Sequence, residues 1–333
     1  MKYLTELKSR KGVDASMSNN IRIEHGDQIY EAEKGITVEE FIEEFDIKSS
    51  NQIVAAKVDN KKQELTYTLN RDCRLAFVDL RSNDGIRIYV RGLTFIFIRA
   101  CRELFPECSV SIEHSMSKGL YCEIHGNLTL TPSKVKRIEE RMREIVKLDE
   151  PFERYSVSIE EAKAIFKEMR FYDKLNILEY RPENTVNLYR CGWMTDYLYG
   201  YMVPSTGYLK KFELMFYLPG VIIRHPTVDA GGQIPEFVDS PKLYKVFREA
   251  EKWSQIIKVE NVAQLNKMIE QGRGGDLIRM NEAYLENQIA DIASEIYENA
   301  DRIKLILIAG PSSSGKTTFA QRLRVQLMVK GLN

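Results

Sequence analysis

The residues with the most chemistry to offer are Gly310, Pro311, Ser312, Ser313, Ser314, Gly315, Lys316, Thr317 and Thr318. Their order fits G-x-x-x-x-G-K-[ST], the spacing of a phosphate-binding loop. Gly310 and Gly315 allow backbone turns that a side chain would obstruct, so that the loop N–H groups point inward at phosphate oxygens. A helix starting after the loop presents the positive end of its dipole to the same anion. Lys316 then reaches the β- and γ-phosphates as a mobile point charge, and the Thr317 hydroxyl ligates Mg²⁺. Thr318 reads as a first-turn helix residue rather than a second metal ligand.

Such a loop needs a strand before it and a helix behind it. Leu305, Ile306, Leu307 and Ile308 form an unbroken apolar run, which suits a central parallel strand buried on both faces. Phe319, Leu323 and Leu327 recur every four residues, as on the buried side of a helix. The alternative is a Gly/Ser linker beside a buried strand; strand, loop and helix in register favour the phosphate loop. The wording from Gly310 to Thr318 resembles the uridine kinase and phosphoribulokinase group. That resemblance implies transfer of the ATP γ-phosphoryl group to a hydroxyl of a nucleoside or similar small acceptor, with Lys316 in the catalytic role and Mg²⁺ accompanying ATP. The chain stops at Asn333, whereas a doubly wound domain needs several further strands. We therefore expect a longer protein, cut inside its kinase domain and inactive in phosphoryl transfer as it stands.

Forty-eight basic residues balance 48 acidic ones, which excludes an overall pull toward nucleic acid and leaves only local basic patches. The 44% hydrophobic and 29% charged content is that of ordinary globular protein. Five cysteines with no C-x-x-C pair point to a reduced, cytoplasmic setting. No apolar run is long enough to span a bilayer, and nothing marks an oligomeric state.

In chain order, residues 1–20 read as a flexible arm and 21–80 as a small independent domain. Ile21 and Ile23 alternate with polar residues as in a hairpin. Thr37 and Glu40 form a capping box, and Ile36 staples onto Phe41. Strands are expected at 53–58, 65–69 and 75–78. Hairpin, crossing helix and further strands make a β-grasp, and these residues resemble the TGS module found at the front of threonyl-tRNA synthetases. RNA contact is what that resemblance implies; a packing domain without a ligand is the alternative, and no basic-aromatic stripe chooses between them.

Residues 84–239 form the largest region. An apolar helix is expected over 95–104, and strands around Val110–Ile112, Leu120–Ile124, Val186–Cys191 and 211–217. Thr131-Pro132 and Ser158 with Glu161 are helix starts. The stretches Arg99-Ala100-Cys101-Arg102-Glu103-Leu104-Phe105-Pro106, Glu150-Pro151-Phe152-Glu153-Arg154 and Val203-Pro204-Ser205-Thr206-Gly207 resemble the editing-type second domain of threonyl- and alanyl-tRNA synthetases. In that resemblance the four metal-ligand positions fall on Arg91, Phe95, Leu198 and Met202. None of these is the Cys, His or carboxylate that zinc takes, so a surviving cleft without zinc and without metal-dependent editing is expected.

His25, His114, His125 and His225 read as ordinary surface or core histidines, although His114 and His125 flank one hairpin and could face each other. Tyr197, Tyr199, Tyr201 and Tyr208 are either a base-stacking surface or tyrosines on one face of a strand. Arg224-His225-Pro226 is either a phosphate contact or a turn. Residues 240–300 read as a helical connector: Ser240-Pro241 starts a helix with Leu243, Val246, Phe247 and Ala250 inward, Asn261 and Gln264 start another, and Gly272–Gly275 is the hinge. A third helix, carrying Leu285, Ile289, Ile292 and Ile296, leads into the start of the phosphate-loop domain at 301–333.

The whole is expected to be an α+β multidomain protein: a β-grasp domain, a synthetase editing-like domain, a helical connector and the start of a kinase domain. The order resembles that of a bacterial family of uridine/nucleoside kinase-like proteins. The rival reading is an RNA- or nucleotide-binding regulatory module derived from a synthetase front end.

Overall fold

The computed structural model describes residues 19–332. Two compact units divide at Val246 and Phe247. The expected arm at 1–20 lies outside the described residues except for Asn19 and Asn20, and Asn20 already opens the first strand.

The first unit begins with strands β1 (Asn20–His25) and β2 (Gln28–Glu33), helix α1 (Val38–Glu44), and strands β3 (Ile53–Val58), β4 (Lys61–Gln63) and β5 (Cys73–Asp79). They form one sheet in the order β2-β1-β5-β3-β4. β1 runs parallel to β5, and the other pairings are antiparallel. Alternation places Ile21 and Ile23 inside, where Val38 and Phe41 of α1 meet them. The capping box is formed: Thr37 N donates to Glu40 Oε2 at 2.8 Å, and Glu40 N to Thr37 Oγ1 at 3.1 Å. Ile36 and Phe41 share one apolar cluster. The strand expected over 65–69 is absent: the segment makes only an isolated bridge, Thr68 to Thr37. The buried Leu65 and Leu69 instead tie their backbone to the start of α1, Leu65 O accepting Glu39 N at 2.9 Å and Leu69 N donating to Ile36 O at 2.8 Å.

Next comes α2 (Asn83–Leu104), twelve residues longer at its start than the apolar run 95–104 indicated. Ser82 sets that start, its Oγ accepting Gly85 N at 3.0 Å. A Cβ on Gly85 would sit 2.0 Å from the Asp79 carbonyl oxygen, so helix and strand meet at backbone distance there. From Leu93 to Cys101 every residue is buried, as expected of a helix enclosed on all sides. Around it follow β6 (Ser109–Met116), β7 (Gly119–His125), α3 (Pro132–Leu148), β8 (Glu153–Ser158), α4 (Ile159–Glu168), α5 (Tyr172–Leu178), β9 (Thr185–Cys191), β10 (Met194–Asp196), β11 (Glu213–Tyr217) and β12 (Gly220–Arg224). Two sheets result, β11-β12-β7-β6 and β10-β9-β8. The starts expected at Thr131 and Ser158 are formed, the latter as a full capping box.

α6 (Pro241–Ile257) runs across the division between the units. Its expected inward face is not enclosed: the helix has no buried residue, and Leu243 and Val246 are exposed. The second unit continues with α7 (Val262–Glu270), capped by Asn261 and Gln264 as expected, α8 (Gly274–Glu298) and α9 (Lys316–Val329). Gly272 takes a φ of +72° between α7 and α8, a turn that glycine adopts without strain. Ile289 and Ala293 of α8 bury against Leu323 of α9, flanked by Ile296, Phe319 and Leu327; Leu285 and Ile292 stay exposed.

The strand expected before the loop 310–318 is not formed. Leu305 and Leu307 are 76% and 83% exposed, and residues 303–310 have no ladder partner among the described residues. A lone extended segment has no neighbour to satisfy its N–H and C=O groups or to cover its side chains.

Candidate functional site

Arg87 and Arg91 are four residues apart on α2, so they share one helix face. That face looks into a cleft of about 480 Å³, closed on its other sides by β4, β8, β9 and the loop 197–201. Lys62, Arg154 and Arg181 bring the cationic side chains lining it to five; Asp84 is the carboxylate among them. Asp84 is already engaged, 2.6 Å from Lys62, and hydrogen bonding to that lysine holds its carboxyl below the usual range.

Arg91 is the half-buried member. Its Nη1 donates to the Tyr201 carbonyl at 3.0 Å, and it forms no ion pair with a carboxylate among the described residues. Burial, with the neighbouring Arg87 charge, disfavours its protonated state. Gly200 makes room for it: the backbone there takes a φ of +103°, and a Cβ would stand 2.7 Å from the Arg91 Cζ. Arg154 lies over the Tyr201 ring at 5.2 Å, and Arg181 over Tyr197 at 5.5 Å, also donating to the Tyr197 hydroxyl at 3.2 Å. Tyr199 is 84% exposed beside them.

Two anchors position the loop. Asp196, fully buried at the end of β10, pairs with Lys174 and accepts Tyr197 N at 2.6 Å. From the five-stranded module, Glu64 accepts the hydroxyl hydrogen of Tyr189 at 2.5 Å and Met202 N at 3.3 Å. The Gly200 carbonyl oxygen lies 3.1 Å from the same hydroxyl. Burial, reinforced by Glu64, raises the Tyr189 phenol and keeps it protonated.

Of the four positions where zinc ligands would fall, Arg91 and Leu198 line the cleft. Phe95 and Met202 are buried and do not line it, Phe95 packing edge-on to Phe152 at 5.3 Å. Among the described residues, no group of three or more His, Cys, Asp or Glu side chains is placed to hold a metal. Of the four tyrosines, Tyr197, Tyr199 and Tyr201 come together in the cleft. They are not on a strand, since β10 ends at Asp196. Tyr208 lies elsewhere, its hydroxyl donating to Glu39 at 2.6 Å. His114 and His125 do not face each other, because the hairpin register sets them opposite Tyr121 and Ser109. Arg224 is committed to Glu213 and the Pro235 carbonyl. Missing from the sequence reading were Lys62, Arg87, Arg154, Arg181 and Tyr189. Arg87 and Arg91 at helical spacing were the one legible signal; the others converge from distant segments.

The loop 310–318 has its own geometry. Gly315 caps α9 with a φ of +79°, so Lys316, Thr317 and Thr318 occupy the first turn. Pro311, Ser312, Ser313 and Ser314 form the exposed turn before it. A Cβ on Gly310 would stand 2.8 Å from Ser314 Oγ, and Lys316 Nζ folds back onto the Pro311 carbonyl at 2.5 Å.

No family model matches the chain. It is similar to the threonine–tRNA ligase of Clostridium kluyveri, 30% identical over 196 residues, which is 59% of this chain and 31% of the ligase. The corresponding ligase of Burkholderia lata is 32% identical over 197 residues, 59% and 31% of the two chains. That of Symbiobacterium thermophilum is 31% identical over 188 residues, 56% and 29%. The chain thus spans about a third of the length of the curated relatives it matches. This likeness lends nothing to the kinase-type resemblance of the loop. Among the described residues, no helix is long and apolar enough to cross a membrane.

Proposed function

We propose that the first unit is a recognition module derived from a tRNA synthetase, binding an RNA end or a nucleotide in the arginine and tyrosine cleft without a metal. One observation carries this: Arg91, half-buried and without a carboxylate partner among the described residues, stands beside tyrosine rings that offer stacking faces. Phosphate takes guanidinium bidentately, and a base stacks on an exposed aromatic ring. Similarity to threonine–tRNA ligases supports RNA as one source of that chemistry. The mixed five-stranded sheet crossed by α1 supports the β-grasp reading of the front module. Five free, buried cysteines go with a reduced, cytoplasmic setting. The test is fluorescence anisotropy with a labelled tRNA transcript and with labelled nucleotides over a salt series. Saturable binding that weakens with salt is expected; no binding of either at low salt defeats the reading.

A second reading concerns the second unit: an ATP-dependent phosphotransferase of the uridine or nucleoside kinase type. The helix start at Gly315 supports it, because α9 directs its first N–H groups at the loop. The crowded cradle at Gly310 fits close approach of backbone to phosphate. Lys316, released from Pro311, would meet the β- and γ-phosphates, and Thr317 would hold Mg²⁺. The acceptor would be a nucleoside hydroxyl. ATP·Mg²⁺ with a panel of nucleosides, on this chain and on any longer form, is the test. Product that disappears in Lys316→Ala supports the reading, and no turnover with any nucleoside refutes it.

A further inference from the structure

We infer that the cleft is built for a nucleotide with a terminal phosphate or pyrophosphate, in preference to the phosphodiester chain of an RNA ending in a 3′ hydroxyl. This rests on the reading of the cleft as a recognition site and narrows its ligand.

The argument is one of charge and position. Arg87, Arg91 and Arg154 make no ion pair with a carboxylate among the described residues, and Asp84 is taken up by Lys62 at 2.6 Å. Arg91 uses one donor on the Tyr201 carbonyl at 3.0 Å, which fixes its plane while the rest of its donor fork stays unengaged. Arg154 is held over the Tyr201 ring at 5.2 Å. A guanidinium restrained in this way has lost much of its rotamer freedom before a ligand arrives, so less is lost on binding. A phosphodiester link brings one negative charge. A terminal phosphate or pyrophosphate brings two or more and offers oxygens to several guanidinium groups at once. The exposed Tyr199 ring lies beside this charged end, so a base joined through its ribose reaches it. A cleft of about 480 Å³ is in the range that takes a single small molecule.

The test uses the full chain carrying Lys316→Ala, so that the loop of the second unit does not supply nucleotide affinity, and omits Mg²⁺. Calorimetry compares adenosine, AMP, ADP, ATP and a short single-stranded RNA with a 3′ hydroxyl. ADP is expected to bind at least about tenfold tighter than adenosine, as one added charge-assisted contact requires, and tighter than the RNA. Arg91→Gln should remove most of the ADP advantage over adenosine. Arg154→Gln, at an exposed side chain, should reduce it too and guards against misfolding of the first variant. Equal affinity for adenosine and ADP, or RNA binding tighter than ADP, would overturn the terminal-phosphate inference while leaving the recognition reading intact. Binding of none of the five would bring down both.

Discussion

Glu64 and Tyr189 meet where the five-stranded module adjoins the rest of the first unit, carboxylate to phenol at 2.5 Å. They lie 125 residues apart in sequence. Tyr189 is 1% exposed and its hydroxyl also lies 3.1 Å from the Gly200 carbonyl oxygen. The pair therefore fixes the module, β9 and the cleft loop against one another.

Tyr189→Phe removes that donor and leaves the ring in place. The expected loss is about 1.5–3 kcal/mol, that of one hydrogen bond to a charged group. Amide exchange should quicken at residues 198–202, where Met202 N is held by the same carboxylate. Unchanged exchange in that segment would show that the Tyr189–Glu64 pair does not organise the loop.

Gly200→Ala tests the seat of Arg91. At a φ of +103° an alanine is strained by roughly 1–3 kcal/mol, and its Cβ would press on the guanidinium at 2.7 Å. Ligand affinity should fall along with stability, whereas Gly231→Ala, also at positive φ but with open space around it, should cost stability alone. Titration calorimetry and urea unfolding of the two variants separate the effects.

Arg99, 4% exposed, joins two carboxylates: its Nε donates to Glu103 at 2.8 Å, and its Nη1 pairs with Glu150. Trp193 Nε1 and Arg141 Nε also donate to Glu103, at 2.8 and 2.6 Å. Arg99→Leu leaves Glu150 without its ion-pair partner and takes one of three donors from Glu103; it should cost about 3–5 kcal/mol, read by urea unfolding. A loss under about 1 kcal/mol would mark the network as surface-like.

Acid should unfold the first unit in two stages. Burial lowers the His225 imidazole, so the unfolded chain takes up a proton first and stability falls as pH drops below about 6.5. Burial opposes ionisation of Glu103, but hydrogen bonds from Arg99, Trp193 and Arg141 outweigh it and leave its carboxyl below the usual range. Its contribution is full above about pH 4.3 and is lost as pH falls through the folded-state value. Burial also lowers His114, and hydrogen bonding also lowers Asp84 and, outweighing burial, Asp79. Unfolding midpoints across pH should therefore show a shallower first slope in His225→Gln and a shallower second slope in Glu103→Gln.

Zinc analysis of the purified protein should find well under one ion per chain, and a chelator should leave the melting temperature unchanged. Arg91, Phe95, Leu198 and Met202 offer no zinc ligand of the usual kinds. Stoichiometric zinc would overturn this.

Helix starts were legible in the amino-acid order alone. Thr37 with Glu40, Ser158 with Glu161, and Asn261 with Gln264 all form reciprocal caps, because capping acts between residues three apart and needs no distant partner. The loop motif at Gly310–Thr317 and the unsuitability of the four zinc positions were equally local. The apolar run 305–308 looked like a buried strand and is neither paired nor covered, since a strand depends on neighbours that its own sequence does not supply. Only tertiary structure brought Arg87 and Arg91 on α2 together with Arg154, Arg181 and the tyrosine loop. A charged cleft is a convergence of side chains from remote segments, and the spacing within any one of them does not encode it.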